Sequence, residues 1–500
     1  MPSTLRHNHT RYSIEPNIIM ESIMHWSIKF AGIFVLGMSL LLTGCPDKSS
    51  PSSSGNQKPE TGETVQKQAA KPAAESLPQP EAVPADVTAA TTLLEQNQGT
   101  YEKNAAGAIV AINLNISNVP DQASQDELFD AINKLVDLEK VTFSGPGIGD
   151  SSILRLSSLK KVKTAHFKNT NITTESLKTM AGTMKDLTDL SVNRCLALDK
   201  DSLTVIGKEM PKLKILDLQS NAFRTFDLKA LTELPALEQL DLRVCMNVEG
   251  GVLKDLANIT TLKVLRLKGG DTSFRDRDIA HLVGHPSLKA FFLQDATSVS
   301  DDFIDSLMKI PTLVDLSMFR LSDISNDGLM KLEGSKLQRL FIRENSYIDD
   351  EGIAVVKTMP DLSRLILYEV RAITDEGLTA AITDNKKLIN LALYDMESIT
   401  DKSIEALKTT TSLRSLELRK TGQTDETLKM VSLLPRLETL TIGFNSKFTD
   451  AGLAYLGDSK SLKTIEITRD STGISDEAIK EFQAKYPKIE IVIRTTGERE

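Results

Sequence analysis

The stretch Leu362-Ser363-Arg364-Leu365-Ile366-Leu367-Tyr368, followed after four intervening residues by Ile373-Thr374-Asp375-Glu376-Gly377-Leu378, decides the fold. Its first half spells L-x-x-L-x-L. Copies begin at Leu138, Val162, Leu187, Leu213, Leu237, Leu262, Leu288, Leu313, Leu337, Leu362, Leu388, Leu413, Leu437 and Leu462, with spacings of 24 to 26 residues. The second and third apolar positions lie two apart, so their side chains share one face of a short strand and the residues around them face the other way. In the second half, Thr374 followed by acids is helix-start chemistry, and Leu378, Ala381 and Ile382 recur at helical spacing. Related phrases open at Ile172, Ile324, Ile348, Ile399, Phe448 and Ile474. Pro211, Pro235, Pro286, Pro311, Pro360 and Pro435 each stand two residues before the next copy, where a helix cannot continue. Each repeat therefore reads as strand, turn, helix. Weaker copies at Ile109-x-x-Ile112-x-Leu114 and Ile489 to Ile493 read as capping strands.

This pattern resembles the leucine-rich repeat fold, with units of about 20 to 29 residues. The implied fold is an α/β solenoid of about 14 to 16 repeats, a horseshoe with parallel strands on the concave face and helices on the convex face. The I-T-D-x-G-L phrase is similar to the cysteine-containing subtype also found in F-box proteins. No F-box-like helical stretch is read before the repeats, so a ubiquitin-ligase role is not implied. The resemblance also implies a ladder position, three past each strand's last apolar residue, whose side chain satisfies turn backbone. It holds Asn221, Asn345 and Asn445, but also Cys195, Cys245, Thr170 and Thr421. Cys195 and Cys245 sit two repeats apart, roughly 10 Å at a ~4.8 Å strand spacing, beyond the ~7 Å limit for bridged Cα atoms. They read as reduced, buried thiols.

From Phe30 to Leu42 the chain is uncharged and mostly apolar, preceded by Lys29 and followed by Thr43-Gly44-Cys45. This run is short of the ~20 residues that span a bilayer but fits a signal-peptide core. Leu42-Thr43-Gly44-Cys45 resembles the bacterial lipoprotein processing box, which implies cleavage after residue 44 and acylation of Cys45. Met24 is the more natural start; residues 1–23 are then untranslated or an extended leader. Residues 46 to about 88, rich in Ser, Pro, Gln, Ala, Lys and Glu, read as a disordered tether. Its root-mean-square reach is on the order of 35 to 40 Å. The expected domains are thus a signal peptide at 1–44, a lipidated tether at 45–90 and a repeat domain at 91–500, opened by a short helix near Val87 to Gln96. The expected location is the bacterial cell envelope, lipid-anchored, with the folded domain in the periplasm or at the cell surface.

The formal net charge is −9, and removing residues 1–44 takes three basic and two acidic residues with it. That balance argues against nucleic acid or anionic lipid as a general partner. His281 and His285 stand four apart, a spacing compatible with zinc, but no third ligand is near, and His285 precedes Pro286 at a helix end. Asp301-Asp302 and Asp349-Asp350-Glu351 lack the alternating spacing of a calcium loop and coincide with helix starts. No G-x-S-x-G and no phosphate-cradling glycine loop occurs. Neither enzyme, metal nor cofactor is expected.

The strand positions that point away from the core carry Phe292, Phe319, Phe341, Tyr368 and Tyr394 in five successive repeats. Arg339, Arg343 and Arg364 share these columns, with Arg243, Arg266 and Arg419 on other repeats and Arg320 at the edge. Exposed aromatics mixed with arginine are the types enriched at protein-binding hot spots. The strip would be about 20 Å long. The expected function is a monomeric, membrane-anchored protein that binds a protein partner through this concave strip. A glycan-binding module and a structural spacer, in which the aromatic ladder only stiffens the sheet, are the alternatives.

Overall fold

In the computed structural model, residues 85–117, 121–270, 274–469 and 471–494 are described. They fall within one compact unit, Val83–Arg494. The signal peptide, Cys45 and residues 46–84 of the expected tether lie outside the described residues, whereas its last residues, 85–90, already belong to the helix Ala85–Gln96.

Most L-x-x-L-x-L copies place their second and third apolar residues in a strand, usually five residues long, with the first apolar residue just before it; in the copies at Leu213 and Leu237 the strand shortens to Ile215–Asp217 and Gln239–Asp241 and ends before the third. In the copy at Leu362 the strand is Arg364–Tyr368, with Leu362, Leu365 and Leu367 fully buried. Seventeen strands form one sheet in sequence order, from Thr100–Lys103 to Glu490–Arg494. All pairings are parallel except the first, where Thr100–Lys103 returns antiparallel against Ile109–Asn115. That hairpin covers the N-terminal sheet edge, which a bare strand would leave open. Register is strict, with Leu316, Leu340, Leu365, Leu391 and Leu416 side by side. The leucines and the helix-face residues make one contiguous core between sheet and helices.

The return elements are shorter than the repeat pattern alone suggests. Thr174–Thr183 and Lys200–Glu209 are α-helices of 10 residues, whereas Asp350–Ile353 and Asp401–Ile404 are single turns that tighten into 3-10 segments at Ala354–Thr358 and Glu405–Thr409. Asp227–Glu233 is wholly 3-10. Stability comes from stacking rather than from helix length.

The I-T-D-x-G-L phrase joins neighbouring repeats rather than capping one helix. Thr374 caps its own helix, accepting from the Glu376 amide at 3.3 Å, while its amide and hydroxyl donate to Asp350 of the preceding repeat at 2.7 and 2.6 Å. Asp375 in turn accepts from the amide and hydroxyl of Thr400, and the same pairing links Asp301 to Ser325, Asp401 to Thr424, Asp425 to Thr449 and Asp450 to Ser475. The glycine leaves room for that carboxylate: a Cβ on Gly377 would lie 2.2 Å from Asp350 Oδ1, and one on Gly452 would lie 2.1 Å from Asp425 Oδ1. Ser176 and Thr427 stand in place of the glycine and donate their hydroxyls to that aspartate, Asp150 and Asp401, whereas Ser403 reaches Asp375 through its amide.

At or near the end of most strands a non-glycine residue takes the left-handed conformation, from Asn169 (φ 54°) and Arg194 (φ 55°) through Val244 (φ 61°) to Lys420 (φ 51°). The turn aims that residue's amide at the next strand. Asn169, Arg194, Ser220 and Glu344 donate to Asn193, Gln219, Arg243 and Tyr368 carbonyls at 2.9 to 3.0 Å. At these corners the hydrogen bond offsets left-handed strain of about 1 to 2 kcal/mol.

Candidate functional site

The outward positions of strands Ala290–Gln294, Asp315–Phe319, Arg339–Arg343, Arg364–Tyr368 and Asn390–Met396 form three columns set by register. The first runs Ala290, Asp315, Arg339, Arg364, Asn390; the second Phe292, Ser317, Phe341, Ile366, Ala392; the third Gln294, Phe319, Arg343, Tyr368, Tyr394. None of Phe292, Phe319, Phe341, Tyr368 and Tyr394 belongs to the core between sheet and helices, as their outward register requires.

Two features differ from the sequence expectation. The five aromatics are not one ladder, because Phe292 and Phe341 are in the second column and Phe319, Tyr368 and Tyr394 in the third. They are also buried rather than solvent-facing: Phe341 is only 1% exposed, and Phe292, Phe319, Tyr368 and Tyr394 are buried with it. Arg339 and Arg343 are buried too, and Arg364 is half-buried. Large side chains on parallel strands ~4.8 Å apart cover their lateral neighbours, which alternation along one strand does not reveal. Phe319 meets Phe341 edge-on with centroids 4.5 Å apart, and Tyr368 meets Tyr394 at 5.6 Å. Arg343 stacks over Tyr368 at 4.3 Å, Arg266 over Phe292 at 4.8 Å and Arg419 over Tyr394 at 5.8 Å.

The charges are organised around acids that the aromatic pattern concealed. Arg339 donates to Asp315 at 3.3 Å and Arg343 to Glu344 at 2.7 Å, while the Tyr394 hydroxyl donates to Glu417. Burial raises the Asp315 carboxyl above the usual carboxylate range, against the opposing pull of Arg339, Arg266 and Arg364. Burial lowers Arg266 and Arg364, the latter further through Arg339. Burial lifts the Tyr368 hydroxyl to about 12. Within this layer Asp315 Oδ1, Ser317 Oγ, Gln294 Oε1 and Arg419 Nε are buried without a hydrogen-bond partner. Away from it, the outward face changes character: Arg243 pairs with Asp241 at 2.7 Å, Ser191 donates to Asp217, and Arg494 pairs with Glu466. Arg320 lies at the corner, bridging Asp295 and Glu344.

The other candidates resolve as structure. His285 is buried, its Nδ1 accepting from the Ser287 and Leu288 amides and its Nε2 3.2 Å from the Ile259 carbonyl oxygen, whereas His281 is exposed. Asp301 and Asp350 are occupied by Ser325 and Thr374 of the following repeats. Among the described residues no group of three or more metal-ligating side chains converges, and no helix is long and apolar enough to cross a membrane. Cys195 and Cys245 are free and buried, and burial lifts Cys245 to about 12. The ladder position works as the resemblance implies at Asn221, which donates to the Val192 and Leu218 carbonyls, at Asn345, which accepts from the Leu321 amide, and at Cys245, which donates to the Leu218 carbonyl.

No protein-family model matches the sequence, and no curated protein does. Among solved structures, the yeast Rad7–Elc1 complex contains a chain similar over 82% of this chain and 93% of its own, at 20% identity and a TM-score of 0.50. An internalin of Listeria monocytogenes aligns over 76% and 94% at 18% identity with a TM-score of 0.34, and the TLR13–ssRNA13 complex over 73% and 54% at 16% identity with a TM-score of 0.47. Register, core and the first of these likenesses agree: the chain has the leucine-rich repeat solenoid fold.

Proposed function

We propose that this protein is a binding scaffold of the bacterial cell envelope, tethered to a membrane through acylated Cys45. Its solenoid recognises a protein partner at the centre of the concave face. The processing box Leu42 to Cys45 and the polar stretch after it support the tether. One observation carries the binding reading. The aromatic and arginine layer holds Asp315 Oδ1, Ser317 Oγ, Gln294 Oε1 and Arg419 Nε without partners. Each such buried orphan costs about 1 to 3 kcal/mol and calls for a reason, and the reason proposed is a partner that reaches these atoms once the covering side chains move aside. Phe292, Phe319, Phe341, Tyr368, Tyr394, Arg339, Arg343 and Arg364 then shape the surface around these atoms. The yeast neighbour's fold is described in complex with Elc1, which accords with a solenoid used for protein recognition.

The test is crosslinking of the purified protein to isolated envelopes, identification of the captured species, and reconstitution of its binding with purified components. A reconstituted protein complex weakened by substitution at Ser317 or Gln294 upholds the reading. Competition by soluble saccharides would instead assign a glycan ligand, and capture indifferent to these positions would leave the face a structural layer.

A further inference from the structure

The two ends of the sheet are finished differently. At the first, Thr100–Lys103 turns back antiparallel on Ile109–Asn115, with a register shift between Glu102 and Lys103. An irregular pairing and a lysine are devices that blunt an edge against further pairing. The last strand, Glu490-Ile491-Val492-Ile493-Arg494, has neither: it keeps strict register with Thr464–Thr468, contains no Pro, Gly or Lys, and among the described residues no strand pairs with its other side. The hydrogen bonds fix which groups that side presents. The Glu490 amide donates to Lys463 O at 2.8 Å and the Arg494 carbonyl accepts from the Arg469 amide at 2.7 Å. Residues 490, 492 and 494 therefore bond inward, and Ile491 and Ile493 turn their N–H and C=O outward. Gln483 Nε2 agrees, reaching the Ile491 carbonyl at 3.4 Å, longer than an ordinary bond.

We propose that Glu490–Arg494 pairs antiparallel with the same strand of a second copy, joining two solenoids end to end across a twofold axis at Val492. The strand is its own complement. With Val492 opposite Val492, Ile491 falls opposite Ile493, and these are the residues with outward N–H and C=O, so each of the two pairs exchanges two hydrogen bonds. Glu490 falls opposite Arg494, which Glu466 holds in place at 3.0 and 2.9 Å, so opposite charges meet at both ends of the seam. A slip by two residues loses one hydrogen-bonded pair and sets Glu490 or Arg494 against Val492. Ile491 and Ile493 share the core side of the strand, so the seam also continues the apolar row from one copy into the next. A foreign strand has no such match, and a second copy carries it by construction. The dimer replaces the monomer expected from the sequence, and it involves neither Cys45 nor the strands at the centre of the concave face.

Residues 46–500 contain the whole compact unit and omit both the apolar run at 30–42 and Cys45. Sedimentation of this protein is expected to show a mass that doubles with concentration. Val492→Cys should form a disulfide-linked dimer under mild oxidation, because facing residues of a non-hydrogen-bonded antiparallel pair lie ~4.5 Å apart between Cα atoms. Cys195 and Cys245 are buried and do not compete. Glu490→Cys should not cross-link, since its two copies stand four residues apart along the seam, on the order of 14 Å. Ile493→Pro removes an outward N–H without breaking the ladder and should weaken association at least tenfold at an unchanged melting temperature. Charge reversal reads the same seam if the proline unsettles the strand: Glu490→Arg and Arg494→Glu should each associate weakly alone, and mixing the two proteins should restore the dimer. A protein that stays monomeric at every concentration overturns the proposal. So does a dimer that ignores the proline and the charge reversals, or one that cross-links as readily through Glu490→Cys.

Discussion

Removing Asp401 isolates the device that locks one repeat to the next. Its carboxylate accepts from the Thr424 amide and hydroxyl at 2.9 and 2.7 Å and from the Thr427 amide and hydroxyl at 3.2 and 2.6 Å. Asp401→Ala leaves the Thr427 amide its bond to Thr424 O but strands the fully buried Thr427 hydroxyl. An orphaned buried donor costs about 1 to 3 kcal/mol, and loss of the charge-assisted Thr424 bonds brings the total to about 2 to 4 kcal/mol. Because repeat arrays are stabilised largely through nearest-neighbour interfaces, the loss should concentrate there. Amide exchange across residues 401–432 should speed up, and the urea midpoint should drop. Pairing Asp401→Ala with Thr427→Val should reveal coupling of about 1 kcal/mol or more. Burial pushes the Asp401 carboxyl up, but the bonds from Thr424 and Thr427 outweigh it and hold it below the ordinary value. The contribution is therefore fully present above the unfolded pKa, about 3.9, and lost as pH falls through the lower folded value. Asp401→Asn should flatten that part of the acid limb. A urea midpoint and exchange pattern for Asp401→Ala matching the wild type would refute the interlock.

Paired glycines give a second check: Gly377→Ala should destabilise by about 1 to 3 kcal/mol through its clash with Asp350, whereas Gly182→Ala, with open space in a helix, should stabilise by about 0.5 to 1 kcal/mol; thermal melts read both. Val244→Gly should stabilise by up to about 1 kcal/mol, since a β-branched residue at φ 61° is strained, and an unchanged or lower melting temperature would count against that strain. Cys195 and Cys245 should resist thiol reagents at pH 8 in the native state and react after denaturation, while a disulfide between them found by mass spectrometry would contradict the register. Phe341→Ala should cost about 3 to 5 kcal/mol as a buried ring rather than the ~0.2 to 1 kcal/mol of an exposed cross-strand pair, which urea titration separates.

Strand order, register and the inward apolar set were legible because Leu365 and Leu367 repeat their spacing in every copy, and spacing is all that a parallel ladder requires. Capping strands at Ile109 and Glu490 followed from the same spelling. The role of Asp375 was not legible, since Thr-Asp-Glu reads locally as a helix start and its acceptor function appears only when Thr400 is stacked beside it. Burial of the aromatic layer escaped for a related reason: the pattern gives the face of Phe341, whereas its lateral contacts with Phe319 depend on which column each ring occupies. Asp315 drew no notice because a single acid among strands carries no signal until Arg339 is placed next to it.

The most direct test of the proposed binding face is titration of the reconstituted partner onto three proteins: wild type, Ser317→Ala, and Lys178→Ala on the helix side. Removing the orphaned Ser317 hydroxyl should leave the melting temperature unchanged or raised while binding weakens about tenfold, as loss of a hydrogen bond worth about 1.4 kcal/mol implies. The Lys178 variant should bind as the wild type does. Undiminished affinity in the concave variant, or loss confined to Lys178→Ala, would contradict the account.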